Sequence, residues 1–431
     1  MDANRFAVQS QRVGPQRAEC GSRHATIRSC GEGPLQRHLV GGRGILSSLA
    51  GGKGVDAVIG GAGLAAIAPC GVGLADLHAR IGHRFARSEA RERAGRYLAG
   101  LLDRVERKNG WQLAEAMGEA GPRGVQRLLS EAAWDADAVR DDLRNYVVDH
   151  LGDEASGVLV VDETGFLKKG AKSCGVARQY TGTAGATVNC QVGVFLAYAS
   201  RHGAAFIDRA LYLPQEWTKD RARRSDAGIP AETAFATKIE LAQQMLARAF
   251  DAGVPARWVV GDAFYGRSHE LRQWLEAQGR AYALMIPKTN AVRYRGRRHL
   301  AAHLGERVCP DPSRAPWACL ELSEECAAGM RRWLLVRCGA ADPDEHRYFL
   351  AYGPEETTTE ELVCICESRW RIEESFAEAK GEVGLDQYEV RKWEAWHRHA
   401  TLCLLAHAYL GVTRQAARRE EAGEKGAPIP C

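Results

Sequence analysis

The apolar residues between positions 77 and 150 recur every three or four residues, which is the spacing of helices with one buried face. Asn109-Gly110 is typical of a helix stop, and Gly121-Pro122 precedes the second pattern. The apolar positions are Ala94, Tyr97, Leu98, Leu101, Leu102 and Val105, then Val125, Leu128 and Leu129, then Val139, Leu143, Tyr146 and Val147. The spacing predicts a small helical domain over residues 77–152.

From Gly157 onward, short β-branched runs alternate with helical periods, which indicates an α/β sheet. We expect the first part of this sheet to occupy residues 153–287. The predicted strands are 158–161, 188–199, 205–212, 258–261 and 282–286, and the predicted helices are 232–252 and 269–277, with a loop at 164–175.

Residues 288–355 interrupt this pattern with short strand signals at 332–336 and 348–351, and we expect an inserted β-rich subdomain there. A second helical block is predicted over residues 356–412. The charged residues 413–431 are predicted to form a frayed tail.

Residues 1–76 have no sustained period, and residues 1–75 hold 15 of the 46 glycines. Residues 57–75 carry no charge and are long enough to suggest a membrane span, but five glycines and Pro69 disfavour a stable one. We therefore expect a poorly ordered extension that does not enter a membrane.

Composition and charge narrow the class of protein. Lys and Arg exceed Asp and Glu by 58 to 54, so the net charge of +4 is too small to indicate nucleic-acid binding by itself. The 13 cysteines contain no CxxC pair or His/Cys ligand ladder, so we expect reduced thiols rather than disulfides or structural zinc. The amino terminus has no signal-peptide pattern, and the predicted location is the cytoplasm.

Three acidic residues are candidates for chemistry. Asp162 and Asp262 each follow an apolar strand, and the carboxyl edge of a sheet is where α/β folds place their sites. An aspartate in that position is also common as a turn or helix cap. Glu373 would share a helix face with Arg369 and Lys380, although a surface helix with ion pairs four residues apart has the same spacing.

Three separated motifs, in order, resemble the DDE transposases of bacterial insertion sequences, in particular the seven-oh-one group. They are VLVVDETGFLKKG with CGVARQYTGTAG and NCQVGVFLAY, then WVVGDAFYG, then RWRIEESFAEAKGEVGLDQYEVR. The resemblance runs from about Arg84 to Val412. It implies an α/β fold with an RNase H-like mixed-sheet catalytic core, a β-rich insertion and an amino-terminal helical domain.

The resemblance also implies roles for individual residues. Asp162, Asp262 and Glu373 match the three catalytic, metal-binding acids, and Arg369 and Lys380 match the DNA-contacting arginine and lysine of a Y-x2-R-x3-E-x6-K signature. The tyrosine position of that signature is Cys366, so a tyrosine hydroxyl is lacking there. Nearby acids leave it open which residue of each motif is the catalytic acid. They are Glu163 for Asp162, and Glu374 and Glu378 for Glu373.

The activity that the resemblance implies is DNA transposition by two-metal-ion chemistry. Water cuts the transposon end, and the freed 3′-hydroxyl then attacks target DNA at the same site. The expected cofactor is Mg²⁺, with Mn²⁺ able to substitute, because carboxylates suit hard ions. The expected partner is double-stranded DNA, held by a homodimer in the synaptic complex at the bacterial nucleoid.

Basic clusters are candidate DNA contacts. Arg293, Arg295, Arg297 and Arg298 surround Tyr294, which would suit phosphates and an unpaired base, although a flexible solvated loop has the same composition. Further candidates are Lys168, Lys169 and Arg178, which follow Asp162. We expect His397, Arg398 and His399 on the surface or facing DNA, and the basic run from Arg80 to Arg96 either facing phosphates or solvated.

Two other functions remain open from the sequence. A catalytically inactive relative could bind transposon ends and act as a repressor, and Cys366 and the unusual amino terminus keep this alternative alive. A metal-dependent hydrolase of another substrate, such as RNA, fits the carboxylates but not the basic insertion.

Overall fold

The protein is described by a computed structural model that covers residues 73–309, 316–339 and 345–425. The predicted extension lies outside these ranges apart from residues 73–76. Those residues open the first helix, in which Leu74 is buried, so the helical part begins before the predicted boundary at 77. No helix in the described ranges is both long and apolar enough to cross a membrane.

The amino-terminal part is helical, as the spacing indicated. Its helices are α1 (Leu74–Gly82), α2 (Ser88–Leu102), α3 (Gly110–Ala116), α4 (Arg123–Ser130) and α5 (Ala136–Leu151). Asn109-Gly110 does not stop a helix but starts α3, because the Asn109 side chain accepts hydrogen bonds from Trp111 N and Gln112 N, both at 3.0 Å.

A mixed sheet forms the centre of the molecule. Its first six strands are β1 (Val158–Leu167), β2 (Ala177–Thr181), β3 (Ala186–Ser200), β4 (Gly203–Leu211), β5 (Trp258–Gly261) and β6 (Ala281–Ile286). β3 pairs antiparallel with β1, β2 and β4, whereas β5 runs parallel to β1 and to β6. The order β4-β3-β1-β5-β6 is the RNase H-like arrangement, so the expected fold class is confirmed.

Five helices lie between β4 and β6. They are α6 (Gln215–Lys219), α7 (Arg221–Ala227), α8 (Lys238–Asp251), α9 (Ala263–Gly266) and α10 (His269–Ala277). α8 starts later than the predicted residue 232 because Thr237 and Glu240 form a reciprocal capping box that fixes its first turn.

The insertion is β-rich but is not a separate subdomain. Its elements are β7 (Ala291–Tyr294), β8 (Arg297–Leu300), α11 (Ala301–Val308), β9 (Trp317–Glu321), β10 (Met330–Arg337) and β11 (Arg347–Pro354). β11 pairs with β6, β10 with β11 and β9 with β10, so these strands extend the central sheet, and only the β7–β8 hairpin stands apart. The predicted β-rich insertion is therefore for the most part an extension of the central sheet.

The insertion also contains a disulfide, Cys309–Cys338, where we expected only reduced thiols. Free thiols among the other described cysteines are those of Cys174, Cys190, Cys319, Cys326, Cys366 and Cys403. The fold brings the end of α11 next to the end of β10, an approach that cysteine spacing alone does not reveal.

Three helices complete the chain: α12 (Thr359–Ser368), α13 (Trp370–Gly381) and α14 (Trp393–Lys425). α14 runs to Lys425, so the predicted frayed tail is helical over its first part. Arg398 and His399 are buried rather than on the surface, since α14 packs against the helical domain. Arg398 Nη2 donates to Trp134 O at 2.8 Å, and Tyr97 Oη lies 2.8 Å from His399 Nδ1.

Candidate active site

Asp162 and Asp262 lie side by side at one edge of the sheet. The parallel pairing of β1 with β5 ends at Val161 and Gly261, so each aspartate follows the last pair. Asp162 nevertheless does not end its strand as expected, because β1 continues to Leu167 by pairing with β3. The divergence of β1 and β5 after this pair opens the space that the two carboxylates face.

Asp262 is also the N-cap of α9. Its Oδ1 accepts hydrogen bonds from Phe264 N at 2.9 Å and from Tyr265 N at 3.3 Å. Oδ2 accepts none from the residues that the structure describes. The capping role expected for such an aspartate is therefore present, and it fixes the direction of the carboxylate without using both oxygens.

The two carboxylates are electrostatically strained. Burial, and then repulsion from Asp262, raise the pKa of Asp162 well above its usual range. Burial, followed by the nearby charge of Glu163, raises the pKa of Asp262. The positive charge of Arg369 opposes both shifts. Two close acids in a poorly solvated place favour a bound cation, which would relieve their repulsion.

Glu163 points to the other side of β1 and contacts α9, the helix that Asp262 caps. Its carboxylate accepts hydrogen bonds from Lys238 Nζ at 2.7 Å and from the Tyr265 hydroxyl at 2.6 Å. Tyr265 is buried in α9, and Lys238 begins α8. Sequence reasoning considered Glu163 only as a rival to Asp162. The one available signal was strand alternation, which turns neighbouring side chains to opposite faces.

Glu373 is linked to the two aspartates through Arg369. Arg369 Nη1 donates to Glu373 Oε1 at 2.7 Å, and its field reaches both aspartates. The ion pair four residues apart therefore exists, but its arginine is buried rather than on a surface. Glu374 is exposed, and its Oε2 lies 3.6 Å from Arg371 Nη1. Glu378 Oε1 lies 2.9 Å from Nη1 of Arg414 on α14.

Lys380 ties α13 to β1. Its Nζ donates to Thr164 Oγ1 at 2.7 Å and lies 3.5 Å from Thr183 Oγ1. Thr164 is two residues beyond Asp162 and therefore shares its face of the strand. Cys366 is buried in α12.

The donor set suits a hard divalent cation only in part. In the part of the chain that the structure describes, no group of three or more His, Cys, Asp and Glu side chains is placed to hold a metal ion. Asp162 and Asp262 offer carboxylate oxygens, which Mg²⁺ and Mn²⁺ prefer together with water. The Oε1 atom of Glu373 is engaged by Arg369.

The candidate DNA contacts separate into packed and exposed groups. Lys168 donates to Tyr388 O at 3.2 Å and lies 3.6 Å from the centre of the Tyr388 ring, and burial lowers its pKa to about 8. Lys169 and Arg178 are exposed. Arg369 and Lys380 face the acids and Thr164 rather than open solvent.

The four hairpin arginines are exposed: Arg293, Arg295, Arg297 and Arg298. Arg295 and Gly296 both have positive φ, at 50° and 74°, which is typical of the two-residue turns of tight hairpins. Tyr294 is half-buried, with its ring edge-on to His299 at 6.4 Å between centroids and the Arg295 guanidinium 5.2 Å from the ring centre.

The basic run of the helical domain is largely neutralised within the protein. Arg84 Nε donates to Asp142 Oδ2 at 2.8 Å, Arg93 Nε to Glu119 Oε1 at 2.8 Å, and Arg80 pairs with Asp149. These contacts favour the structural interpretation of the run over a phosphate-binding one.

Comparison with known proteins agrees with the motif resemblance. A family model described as "DDE superfamily endonuclease" matches residues 80–329, which include Asp162 and Asp262 and end before Glu373. The chain is 25% identical over 303 residues to the "Probable transposase for insertion sequence element IS701" of Microchaete diplosiphon, covering 69% of this chain and 76% of that protein. The family match spans more than half of the sequence, and the chain therefore belongs to the DDE superfamily of endonucleases.

Proposed function

We propose that this protein is a DNA transposase that cuts transposon ends and joins them to target DNA. The observation that carries the proposal is the half-buried pair Asp162 and Asp262, which directly follow the last residue pair of β1 and β5. The similarity to a probable transposase supports the same reaction class.

In this proposal Asp162 and Asp262 would hold divalent cations, and Glu373 would be the third acid once it is released from Arg369. Mg²⁺, or Mn²⁺ in its place, would activate the attacking oxygen and stabilise the leaving one. Glu163 and Tyr265 keep Asp262 in place through α9. Arg369, once released from Glu373, can bind a phosphate oxygen of the DNA strand.

The exposed hairpin arginines, with Lys169 and Arg178, are proposed to contact the backbone of double-stranded DNA. The homodimer and the location at the nucleoid stay predictions, and the homodimer can be measured as the mass of the protein–DNA complex by light scattering.

The decisive experiment is a nicking assay on DNA that contains the ends of the element, with Mg²⁺ or Mn²⁺. The wild-type protein should nick the strand at the element boundary, and Asp262→Asn should bind the same DNA without nicking it. Glu374→Gln is the matched control, since Glu374 is an exposed acid on the same helix as Glu373. Normal nicking by Asp262→Asn would refute the proposal.

The observation that favours the alternative, an inactive relative that binds transposon ends, is that no three acids of the described residues are placed to hold a metal ion. That protein would bind end-containing DNA in the same assay but leave it intact with either metal.

A further inference from the structure

A cleft of about 920 Å³ lies between the β7–β8 hairpin and the end of α9. We call it the hairpin cleft; it is lined by Arg267, Pro287, Thr289, Asn290, Ala291, Arg298, His299, Leu300 and His303. Arg267 directly follows α9, the short helix that Asp262 caps. Pro287 follows β6, which is parallel to β5. The cleft therefore opens at the same sheet edge as the two aspartates.

The cleft is lined by basic and neutral side chains only. Arg267 and Arg298 are both exposed, and neither has an ion-pair partner among the residues that the structure describes. The Arg267 guanidinium lies 4.8 Å from the centre of the Phe264 ring, which holds it at the mouth of the cleft. Arg84 and Arg93 of the helical domain, by contrast, are paired with acids.

The hairpin itself carries an unfavourable charge pair. Arg293 and Arg298 are directly opposite each other in the β7–β8 pairing, so their side chains leave the same face. Like charges in this position destabilise a strand pair unless an anion lies between them. Glu324 does not serve as that anion, because it accepts a hydrogen bond from Arg293 N and is ion-paired with Arg332.

The cleft chemistry favours a phosphodiester backbone over a base. Tyr294 and His299 contact each other edge-on, and Val292 opposite His299 is buried, so the aromatic side of the hairpin packs inward. What remains open is a row of guanidinium groups, which bind phosphate oxygens strongly. This differs from the unpaired base that the sequence suggested for Tyr294.

We propose that the hairpin cleft binds the sugar–phosphate backbone of DNA beside the strand that is cut, through Arg267 and Arg298. The proposal rests on the proposed function, because it takes DNA as the substrate. It adds Arg267 and the Arg293–Arg298 pair as a phosphate subsite continuous with the edge that carries Asp262. Binding there requires no divalent cation and no particular base sequence.

The test measures the affinity of a fluorescent duplex of about 30 base pairs in EDTA at several salt concentrations. The double variant Arg267→Gln/Arg298→Gln should bind roughly 10- to 100-fold more weakly at low salt, and the slope of log K against log salt should fall by roughly 2. The control Arg257→Gln removes an exposed arginine at the opposite end of β5 and should bind like wild type. Thermal melting should be the same for all three proteins, because these side chains are exposed.

Each result decides between the proposals. If the double variant binds like wild type, the hairpin cleft is not a backbone site, while the nicking test of Asp262→Asn still stands. If the wild type binds no DNA at all, the proposed function and this inference both fail.

Discussion

The contact between Glu163 and α9 predicts that Glu163→Gln weakens both the fold and the metal site. Glu163 accepts from Lys238 Nζ at 2.7 Å and from Tyr265 Oη at 2.6 Å. A glutamine oxygen carries no charge, and its amide group would face another donor. Lys238 would then stay mostly buried, with its side chain 17% exposed, and without its carboxylate.

The expected loss of stability follows from this burial. Removing one partner of a fully buried ion pair costs about 3–5 kcal/mol, and charge-assisted hydrogen bonds contribute about 1.5–3 kcal/mol each. Glu163 is 21% exposed, so we expect about 2–3 kcal/mol. With an unfolding entropy of about 2.1 cal/mol/K for each residue in the described ranges, a loss of this size should lower the Tm by about 3–4 °C.

The effect on metal binding is the specific part of the prediction. Residues that orient a ligand typically change metal affinity by about 10- to 100-fold when they are mutated. Glu163→Gln should therefore weaken Mn²⁺ binding by about 10-fold, measured by electron paramagnetic resonance of free Mn²⁺.

Glu276→Gln is the matched control. Glu276 also accepts hydrogen bonds from a tyrosine and a cation, Tyr282 and Arg332, both at 2.7 Å, but lies on α10. The Glu276→Gln protein should lose a similar free energy of unfolding and keep its Mn²⁺ affinity. If Glu163→Gln bound Mn²⁺ like wild type, or if Glu276→Gln weakened binding equally, Glu163 would have no positioning role.

Three further predictions concern other parts of the chain. Glu373→Gln should eliminate strand cleavage in the nicking assay whereas Glu374→Gln retains it, and the reverse ranking would move the catalytic register by one residue. Burial alone would raise the pKa of Glu378, but contacts with a histidine and with Arg414 on α14 outweigh it and lower this pKa to about 2. The unfolded value is 4.5, so this side chain should stabilise the fold by at most about 3 kcal/mol above pH 4.5 and lose that as the pH falls towards 2. The difference in Tm between wild type and Glu378→Gln should shrink over that pH interval. A constant difference would show that the ionised form of Glu378 does not stabilise the fold. Leu74→Ala should cost about 2–4 kcal/mol in urea unfolding, because Leu74 is buried at the start of α1, and an unchanged midpoint would place the start of the fold after it.

Elements whose signals are local could be predicted from the amino-acid sequence. β5 and α10 begin and end at the predicted residues, because each is an apolar pattern bounded by turn residues. The order of the acids, and their relation to the ends of an apolar run, could also be predicted. Two motif aspartates and a helix with a glutamate were sufficient to indicate the family, whose match includes both aspartates.

The pairing of the strands and the burial of the polar groups are seen only in the folded structure. β1 continues beyond Asp162 because β3 pairs with it through the polar residues Asp162, Glu163 and Thr164 as far as Leu167, and the apolar run that predicted the strand ends at Val161. β11 joins β6 through partners such as Leu350 and Leu284, which are far apart in the chain. Pairing of this kind is a long-range property, so the strands of the insertion could be predicted but not their sheet.

Long-range contacts also explain which functional residues could be predicted from the sequence and which could not. Arg369 was identified from a motif, but only packing shows that it holds Glu373 and reaches both aspartates. Lys238 and Tyr265 meet Glu163 from two different helices, and no spacing in the sequence connects them. Burial makes these contacts necessary, because a charged group removed from water requires a partner, and the fold alone determines which partner is near.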